Sequence, residues 1–542
     1  MNAMKCWVFV LFLTIYLLTM GGHLYSADDE IKAMIAEAIV DRQSVALPEV
    51  NMAYMNVGKD HLSYSPFPIG LSLTLIPPYL ISKVLVELFP SIPSQILAEF
   101  CYSTINPVIT ALSCMVLFEI IRLIGYTAPV SVITTFIYGC CTIAFPYAKT
   151  VWAEPQATLC SLIGLYGVLL FQIKGKHRRL IWAGVAIGFG ILTKYETVIY
   201  GLFFAWMIMS FQLKLPDRNW KRAIIDLIYY GLPVFVFCIA TLAYNIVRFN
   251  DWRAFSHYGD MVGIQGNQPN PFLDSMEGIV IGIYLHLFST GKGVFVFSPP
   301  AIMYYWAVRD FRSQHRDLTA LSVILIAVMF ISTGAFWTMS NLAWGERYFV
   351  SLTPYFILPL SALVAKIVEH RNYYMKKSLI TVCVIGFLVQ LLGVSINFQT
   401  VIDKQLANGE KTDLQVRSYD PEYSPVLLHL KEALNRVGDT WELVRLGRKP
   451  FLDGKLRQSG VDVSESVDQK AFRDVIRYHT YDYWFCYMYL TGVPAWIILI
   501  PMILLLLTLT LSGRRLIQIL YQSEGSETER PISPSASEPA RV

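Results

Sequence analysis

The sequence predicts an all-α polytopic membrane protein with about twelve transmembrane helices and a small extracytoplasmic region near its C-terminus. Of its 542 residues, 54% are hydrophobic and only 15% are charged, and the mean hydropathy is +0.46. Soluble domains carry roughly 25% charged residues. This composition excludes a disordered chain and an ordinary soluble enzyme. The net charge of only +4 excludes a nucleic-acid-binding module, so no nucleic-acid partner is expected.

Apolar runs of membrane-spanning length recur along the chain. A spanning helix needs about 20 apolar residues. Twelve runs fit this requirement, near residues 7–20, 97–121, 126–147, 156–173, 180–193, 197–213, 224–244, 293–308, 318–337, 348–367, 378–397 and 491–512. A further apolar stretch, 69–88, is interpreted as re-entrant or interfacial, because another span there would reverse the sidedness of the basic cluster at 174–179.

Lysine and arginine collect at alternate connections between these spans. The basic clusters lie at 174–179, 214–222, 309–316, 366–377 and 514–515. The connections between them each hold a single cation, as Lys149, Lys194 and Arg347 show. The positive-inside rule places the clusters in the cytoplasm. We therefore expect a multi-pass protein of the cell membrane with both termini cytoplasmic.

This orientation also predicts the domain organisation. The expected parts are a transmembrane module at 1–397 with an outer loop at 21–96, an extracytoplasmic region at 398–490, a last transmembrane helix at 491–512 and a disordered cytoplasmic tail at 513–542. Within the extracytoplasmic region, several apolar side chains need burial and predict a compact unit, namely Leu427, Leu428, Leu430, Trp441 and Leu443. Residues 1–27 could alternatively form a cleaved signal peptide.

The first outer loop begins with three adjacent acids, Asp28, Asp29 and Glu30. The apolar residues that follow have helical spacing and predict a helix over 29–42 that lies on the membrane surface. Ser26 and Asp29 fit a capping box, so the acids have a structural explanation as well as a functional one.

Several motifs in the predicted outer connections resemble those of the GT-C-fold membrane glycosyltransferases that use polyprenyl-phosphate sugars. These enzymes are related to the protein O-mannosyltransferases and the lipid A aminoarabinose transferases. The motifs are Asp28-Asp29-Glu30, Tyr64–Gly70, Trp152-Ala153-Glu154-Pro155, Gly188–Lys194, Ser289–Gly293 with Phe297–Pro300, and Trp344–Tyr348 with Pro354. The resemblance covers residues of about 20 to 490.

This resemblance implies transfer of a sugar from a polyprenyl-phosphate donor to a glycan, lipid or protein acceptor. Asp28 or Asp29 would be the general base, with Glu30 supporting it. Glu154 would lie near the acceptor or a divalent metal, and no other cofactor is expected. Its structural alternative is an ion pair with Lys149. The candidate ligands of the donor phosphate are Arg347, Lys292 and Lys194.

Two other classes of membrane protein remain as alternatives. A transporter or lipid flippase would favour polar residues at mid-membrane and pseudo-symmetric halves. An O-antigen polymerase or ligase would favour an arginine-rich outer loop late in the chain. The acids here lie instead at the predicted outer boundary. Convergence of Asp28 or Asp29 with Arg347 would favour the glycosyltransferase.

Overall fold

The computed structural model describes residues 2–47, 56–58, 60–215, 219–253, 276–336, 343–370, 372–407, 420–461 and 469–528. These residues are predominantly helical, which confirms the predicted all-α class. Three two-residue strands, Ala46–Leu47, Asn56–Val57 and Ser63–Tyr64, form a small antiparallel sheet in which Ser63–Tyr64 is the middle strand.

The first half of the chain holds helices at Asn2–Thr19, Ala27–Arg42, Gly70–Leu88, Ser94–Ser103, Ile105–Leu123, Ala128–Cys141, Ala144–Tyr147, Glu154–Lys174, Arg178–Thr193, Thr197–Lys214 and Trp220–Phe249. The second half holds helices at Met276–Phe288, Val294–Phe297, Tyr304–Gln314, Arg316–Phe336, Thr353–Ile357, Leu360–His370, Tyr373–Ser395, Phe398–Ala407, Pro425–Leu446, Arg448–Gln458, Gln469–His479, Trp484–Leu490 and Ala495–Thr528. Short 3-10 helices lie at Pro299–Met303, Arg347–Phe349 and Pro421–Tyr423.

Within the described residues, eight helical segments are long and apolar enough to cross a membrane. They are Gly70–Leu88, Ser94–Leu123, Glu154–Lys174, Thr197–Lys214, Trp220–Phe249, Arg316–Thr333, Tyr373–Ser395 and Ala495–Tyr521. Four of the twelve predicted spans are divided between helices. The runs 97–121 and 126–147 are divided at Thr104 and at Thr142. The run 293–308 is interrupted at Pro299 and Pro300, and the run 348–367 is interrupted at Pro359. Proline lacks the backbone N–H that a continuous helix needs, so hydropathy alone overestimated helix continuity there.

The helix Gly70–Leu88 has the length and composition of a span, yet both of its ends lie at the same end of the bundle. Gly70 packs so closely against Thr193 that a Cβ would collide with it. Near the other terminus, Leu85 belongs to an apolar cluster with Met20 and Trp484. Thr193 is the last residue of one helix, and Met20 directly follows another. Both lie at the end of the bundle that carries Asp28. This course agrees with the re-entrant or interfacial interpretation.

The basic connections lie at the opposite end. The helix Glu154–Lys174 has 21 residues and is therefore about 31 Å long, which separates its first residue from its last by the length of a span. Lys214 pairs with Asp317 across two neighbouring helices of this opposite end, 2.6 Å apart. The clustered basic connections thus lie away from the acidic motif, as their distribution along the sequence predicted, whereas the single cations Lys194 and Arg347 lie near it.

The first helix is part of the main core. Val8, Phe12 and Tyr16 are buried against the helices Ile105–Leu123 and Ala128–Cys141. The Tyr16 hydroxyl donates a hydrogen bond of 2.9 Å to the Gly139 carbonyl. All nine cysteines lie within the described residues, and each is a free thiol.

The described residues of 398–490 include five α-helices and one short 3-10 helix, but the apolar contacts there differ from those predicted. Phe451, Leu456 and Ile476 form a buried cluster with neighbours from the helix Trp484–Leu490. The prediction that Leu427, Leu430 and Trp441 are buried is wrong, because all three are exposed. The prediction of a disordered tail from residue 513 is wrong for residues 513–528, which are helical. The last helix continues to Thr528, and residues 529–542 lie outside the described part of the chain.

Candidate active site

The start of the helix Ala27–Arg42 differs from the predicted capping box. The Tyr25 backbone N–H donates to Asp29 Oδ2 at 3.2 Å, so this carboxylate satisfies a backbone donor just before the helix. The Ser26 hydroxyl does not cap the helix; its Oγ accepts a hydrogen bond of 3.0 Å from the indole Nε1 of Trp152. The prediction of a Ser26–Asp29 capping box is therefore wrong, because the Ser26 hydroxyl does not cap the helix and Asp29 accepts from the Tyr25 N–H rather than from the N-cap residue Ser26. Ser26 instead ties the helix start to the segment before Glu154.

Asp28 and Asp29 are adjacent but occupy different environments. Asp29 is fully buried, and this burial raises the pKa of its carboxyl to about 7, with a further contribution from the nearby Asp28 charge. The Asp28 side chain is 15% exposed and faces Arg347. Only Asp28 is therefore open to a reactant without local rearrangement.

Arg347 lies between two carboxylates from distant parts of the chain. Its Nη2 and Nη1 atoms donate long hydrogen bonds of 3.4 and 3.5 Å to Asp28 Oδ2, and its Nε lies 3.1 Å from Glu154 Oε1. The guanidinium also lies 5.1 Å from the centre of the Trp152 ring, within cation–π range. These carboxylates raise the pKa of Arg347 well above its usual value, although burial alone would lower it. The side chain is therefore a permanently charged group in a partly buried cluster.

The local backbone explains how Arg347 reaches this position. Gly345 has a φ of +63°, a conformation that glycine adopts without steric cost. The Glu346 carboxylate then accepts a hydrogen bond from the Tyr348 backbone N–H and starts the short 3-10 helix Arg347–Phe349. The motif Trp344–Tyr348 thus forms a tight turn that presents the arginine.

Glu154 links Arg347 to Lys194. The Lys194 ammonium donates a 3.0 Å hydrogen bond to Glu154 Oε1 and lies 2.8 Å from Glu196 Oε1. The two carboxylates raise the pKa of Lys194 against the lowering effect of burial, so this lysine is charged. The alternative partner considered for Glu154 is wrong: Lys149 pairs with Asp482, at 2.7 Å.

A second lysine near the cluster was missed by sequence reasoning. Lys32 is buried on the helix Ala27–Arg42, and its ammonium lies 4.7 Å from the centre of the Phe67 ring. Its charge acts against the burial effect on Asp29. The sequence spacing could have predicted this position, because Lys32 follows Asp29 by three residues and Asp28 by four, which places the three on one helix face.

Lys292 is not brought into this cluster. It is buried behind the arginine-bearing turn, where its ammonium donates hydrogen bonds to the carbonyls of Gly345 (3.1 Å) and Ala343 (3.4 Å). Burial lowers the pKa of Lys292 to about 8. Its contacts stabilise the turn, and they do not present the ammonium beside Asp28 as a phosphate ligand would require. Another buried pair in this region joins His286 and Glu346, with Nδ1 and Oε2 3.3 Å apart.

Glu30 also lies apart from Arg347, so the three acids do not form one site. Glu30 lines a separate pocket together with Glu99 and Arg473, which form an ion pair of 2.9 Å. Burial raises the pKa of the Glu30 carboxyl, and the negative charge of Glu99 adds to this effect. The helix turns about 100° per residue, which directs three consecutive side chains toward different surroundings.

The described residues contain no group of three or more His, Cys, Asp or Glu side chains placed to hold a metal ion. Glu154, the predicted metal or acceptor ligand, is instead contacted by two cations. A divalent cation at this carboxylate would face the repulsion of Lys194 and Arg347, so these residues do not fit a metal site.

Part of the chain also resembles a known family. Residues 95–254 match the family model of the dolichyl-phosphate-mannose-protein mannosyltransferases. The matched segment includes Glu154 and Lys194, and it confirms the predicted resemblance to membrane glycosyltransferases of this superfamily.

Two similar solved structures are those of ArnT from Cupriavidus metallidurans. The apo structure is 13% identical over 81% of this chain and 69% of that chain, with a TM-score of 0.45. The structure bound to undecaprenyl phosphate is 13% identical over 83% of this chain and 73% of that chain, with a TM-score of 0.43. No curated protein sequence matches this chain.

Proposed function

We propose that this protein transfers a sugar from a polyprenyl-phosphate donor to an acceptor hydroxyl or amine. The observation that carries the proposal is the convergence of Asp28, Glu154, Lys194 and Arg347 at one end of the helical bundle. The match of residues 95–254 to a family named for dolichyl-phosphate-mannose supports this class of donor. The acceptor is a glycan, a lipid or a protein.

The reaction needs a proton acceptor beside the attacking atom. Asp28 fits this role because it is partly exposed, whereas Asp29 is fully buried. In the proposed step, the acceptor oxygen or nitrogen forms a bond to the anomeric carbon of the sugar and transfers its proton to Asp28. The bond between that carbon and the phosphate oxygen breaks, and the polyprenyl phosphate leaves with the electron pair.

The leaving phosphate gains negative charge and needs cationic donors. Arg347 has planar N–H donors that suit two phosphate oxygens at once, and its contacts with Asp28 are long enough to be exchanged for a ligand. Lys194 adds a second positive charge within the same cluster. We assign Glu154 to holding these two cations in place, since it contacts both.

The orientation of the bundle follows from the same charges. The basic connections lie at the end opposite to the cluster, and such connections face the cytoplasm. We therefore propose that the reaction occurs at the extracytoplasmic face of the cell membrane, with both termini in the cytoplasm.

The arrangement of charges favours a transferase over the other two classes. In a transporter the ionisable groups would lie near the middle of the membrane, along a path between two halves. Here the four converging residues lie at helix termini: Asp28 in a first helical turn, Glu154 at a helix start, Lys194 just after a helix, and Arg347 at the start of a short 3-10 helix.

The decisive experiment incubates the purified protein with a panel of polyprenyl-phosphate sugars and measures the release of free polyprenyl phosphate. We expect release with at least one sugar, dependent on an added acceptor. Asp28→Asn protein at matched concentration serves as the control and should release little. If no polyprenyl-phosphate sugar of the panel yields free polyprenyl phosphate, but the intact polyprenyl-phosphate sugars cross the bilayer of proteoliposomes, the protein is a flippase.

A further inference from the structure

The helix Pro425–Leu446 has a reversed amphipathic arrangement. The side that packs against the rest of the protein is polar, with His429, Glu432 and Arg436 all buried. Glu432 and Arg436 form an ion pair of 3.2 Å, and the His429 ring stacks on Trp344 at 4.5 Å between ring centres. A helix at an aqueous surface normally turns its apolar side inward. This helix turns it outward.

The opposite side carries six apolar residues at intervals of three and four positions. They are between 43% and 72% exposed: Leu427, Leu430, Leu434, Val437, Trp441 and Val444. These intervals align the side chains in one stripe along about five turns of helix, without a charged residue between them on that line. Such a stripe is unfavourable in water, because removing apolar side chains of this size from water is favourable.

Both ends of the helix lie beside the predicted membrane boundary. At its start, the Ser424 hydroxyl donates a 3.2 Å hydrogen bond to the carbonyl of Thr290, which follows the apolar helix Met276–Phe288 closely. Beyond its end, Arg448 Nη1 donates a 3.4 Å hydrogen bond to the carbonyl of Tyr489, shortly before the last apolar helix. The 22-residue helix is about 33 Å long. It therefore runs along the end of the bundle from the short apolar helix Met276–Phe288 to the start of the last membrane-length helix.

The residues that border the stripe suit a lipid surface. Lys431 and Arg445 each follow a stripe residue by four positions, which places them along one edge of the stripe. Trp441 lies within the stripe itself. Leucine and tryptophan beside flanking lysine and arginine are typical of helices that lie in the interface between headgroups and acyl chains.

We propose that the helix Pro425–Leu446 lies in the outer headgroup layer of the phospholipid bilayer, with its stripe of six apolar side chains against the acyl chains. The reversed arrangement follows directly, since the apolar side meets lipid while the polar side meets the protein. The stripe needs no burial within the chain, which explains why the predicted internal contacts of Leu427, Leu430 and Trp441 are not found.

Photocrosslinking in native membranes tests this proposal. A benzophenone amino acid is placed at Leu434, in the stripe, and in a second protein at Asn435, an exposed control position one residue further around the helix. We expect phospholipid adducts, detected by mass spectrometry, at least about tenfold more abundant at 434 than at 435. Adducts at 434 to a second copy of this chain or to another protein would overturn the proposal, as would equal lipid labelling at both positions.

A second measurement detects the same contact without a crosslinker. The protein is reconstituted in vesicles whose phospholipids carry brominated acyl chains, which quench tryptophan fluorescence at short range. The chain has 12 tryptophans, so the signal of Trp441 is obtained as the difference between wild type and Trp441→Phe. We expect this difference signal to be quenched. An unquenched Trp441 signal that is lost on adding a water-soluble quencher would place the stripe in water and overturn the proposal.

Discussion

Asp28 and Arg347 meet at one end of the bundle although 319 positions separate them in the chain, with Oδ2 of the aspartate 3.4 Å from Nη2 of the arginine. The contact joins the first turn of the helix Ala27–Arg42 to the 3-10 helix Arg347–Phe349. It places a partly exposed carboxylate beside a cation that suits phosphate. This is the arrangement that the proposed transfer requires, and it is the basis of the first two predictions.

Replacing Arg347 should impair donor use more than replacing Lys194. Arg347→Ala removes a group able to bind two phosphate oxygens, and losing such a charge-assisted contact costs roughly 1.5–3 kcal/mol, or about 10- to 150-fold in kcat/KM for the donor. Lys194→Ala should have a smaller effect, because Lys194 is already held by Glu154 and Glu196. The measurement is the rate of polyprenyl phosphate release at varied donor concentration. Equal, mild effects of the two substitutions would mean that Arg347 has only a structural role.

Replacing Asp28 should remove transfer, whereas the same change at Asp29 should not. Asn at position 28 cannot accept the acceptor proton, so kcat should fall by about 10²- to 10⁴-fold, the usual contribution of general base catalysis. Asn at position 29 can still accept the hydrogen bond from the Tyr25 N–H and should retain most activity. Both variants are compared at matched expression and membrane insertion. Near-normal rates in both would show that neither acid is the base.

The buried Asp29 should make stability depend on pH. Its pKa is about 7 in the folded protein, against an ordinary value of 3.8. At pH values between these two pKa values, the Asp29 carboxyl is deprotonated in the unfolded chain but protonated in the folded protein. The free energy of unfolding therefore falls as the pH rises from about 4 to about 7, and the loss is complete above that range. Asp29→Asn lacks this titration. The midpoint of thermal unfolding in detergent, measured from pH 4 to pH 9 for both proteins, should therefore fall more steeply with pH in the wild type; parallel curves would contradict the assignment.

Glu154 should matter for stability because it compensates two cations. Its side chain is only 2% exposed and contacts both Lys194 and Arg347. Glu154→Gln removes the charge but keeps the shape, and should lower the free energy of unfolding by about 1.5–3 kcal/mol. Glu196→Gln is the matched control. Glu196 is more exposed than Glu154 and, of the two cations, contacts only Lys194, so its replacement should lower the free energy of unfolding less. The reverse order, measured by thermal unfolding at pH 7, would show that Glu154 is not the central carboxylate.

The proposed orientation can be tested by cysteine labelling in intact cells. Thr440→Cys, on the helix Pro425–Leu446, should react with a membrane-impermeant maleimide added outside. Lys176→Cys, in a basic connection at the opposite end of the bundle, should react only after permeabilisation. Both are made in a Cys6→Ser background, because Cys6 is an exposed native thiol. Labelling of position 440 only after permeabilisation would reverse the proposed topology.

Local sequence properties were sufficient to predict the helical membrane architecture. Hydropathy and the distribution of lysine and arginine belong to contiguous segments, so the apolar helices and the segregation of the basic connections could be read without knowing any contact. The same holds for the helix after Ser26, whose start and period are local. Errors arose where a local property was modified by geometry, as at Pro299 and Pro359, which interrupt two predicted spans.

The partner of each charged residue depended on the tertiary structure. Lys149 lies five positions from Glu154 in the sequence, yet Glu154 pairs with Lys194 and Arg347, which other helices bring to it. Asp28, Asp29 and Glu30 are indistinguishable as a sequence motif. They differ because one faces Arg347, one is buried and one lines a separate pocket. Ion pairing and burial depend on distances between segments remote in the chain, and a single sequence does not contain those distances.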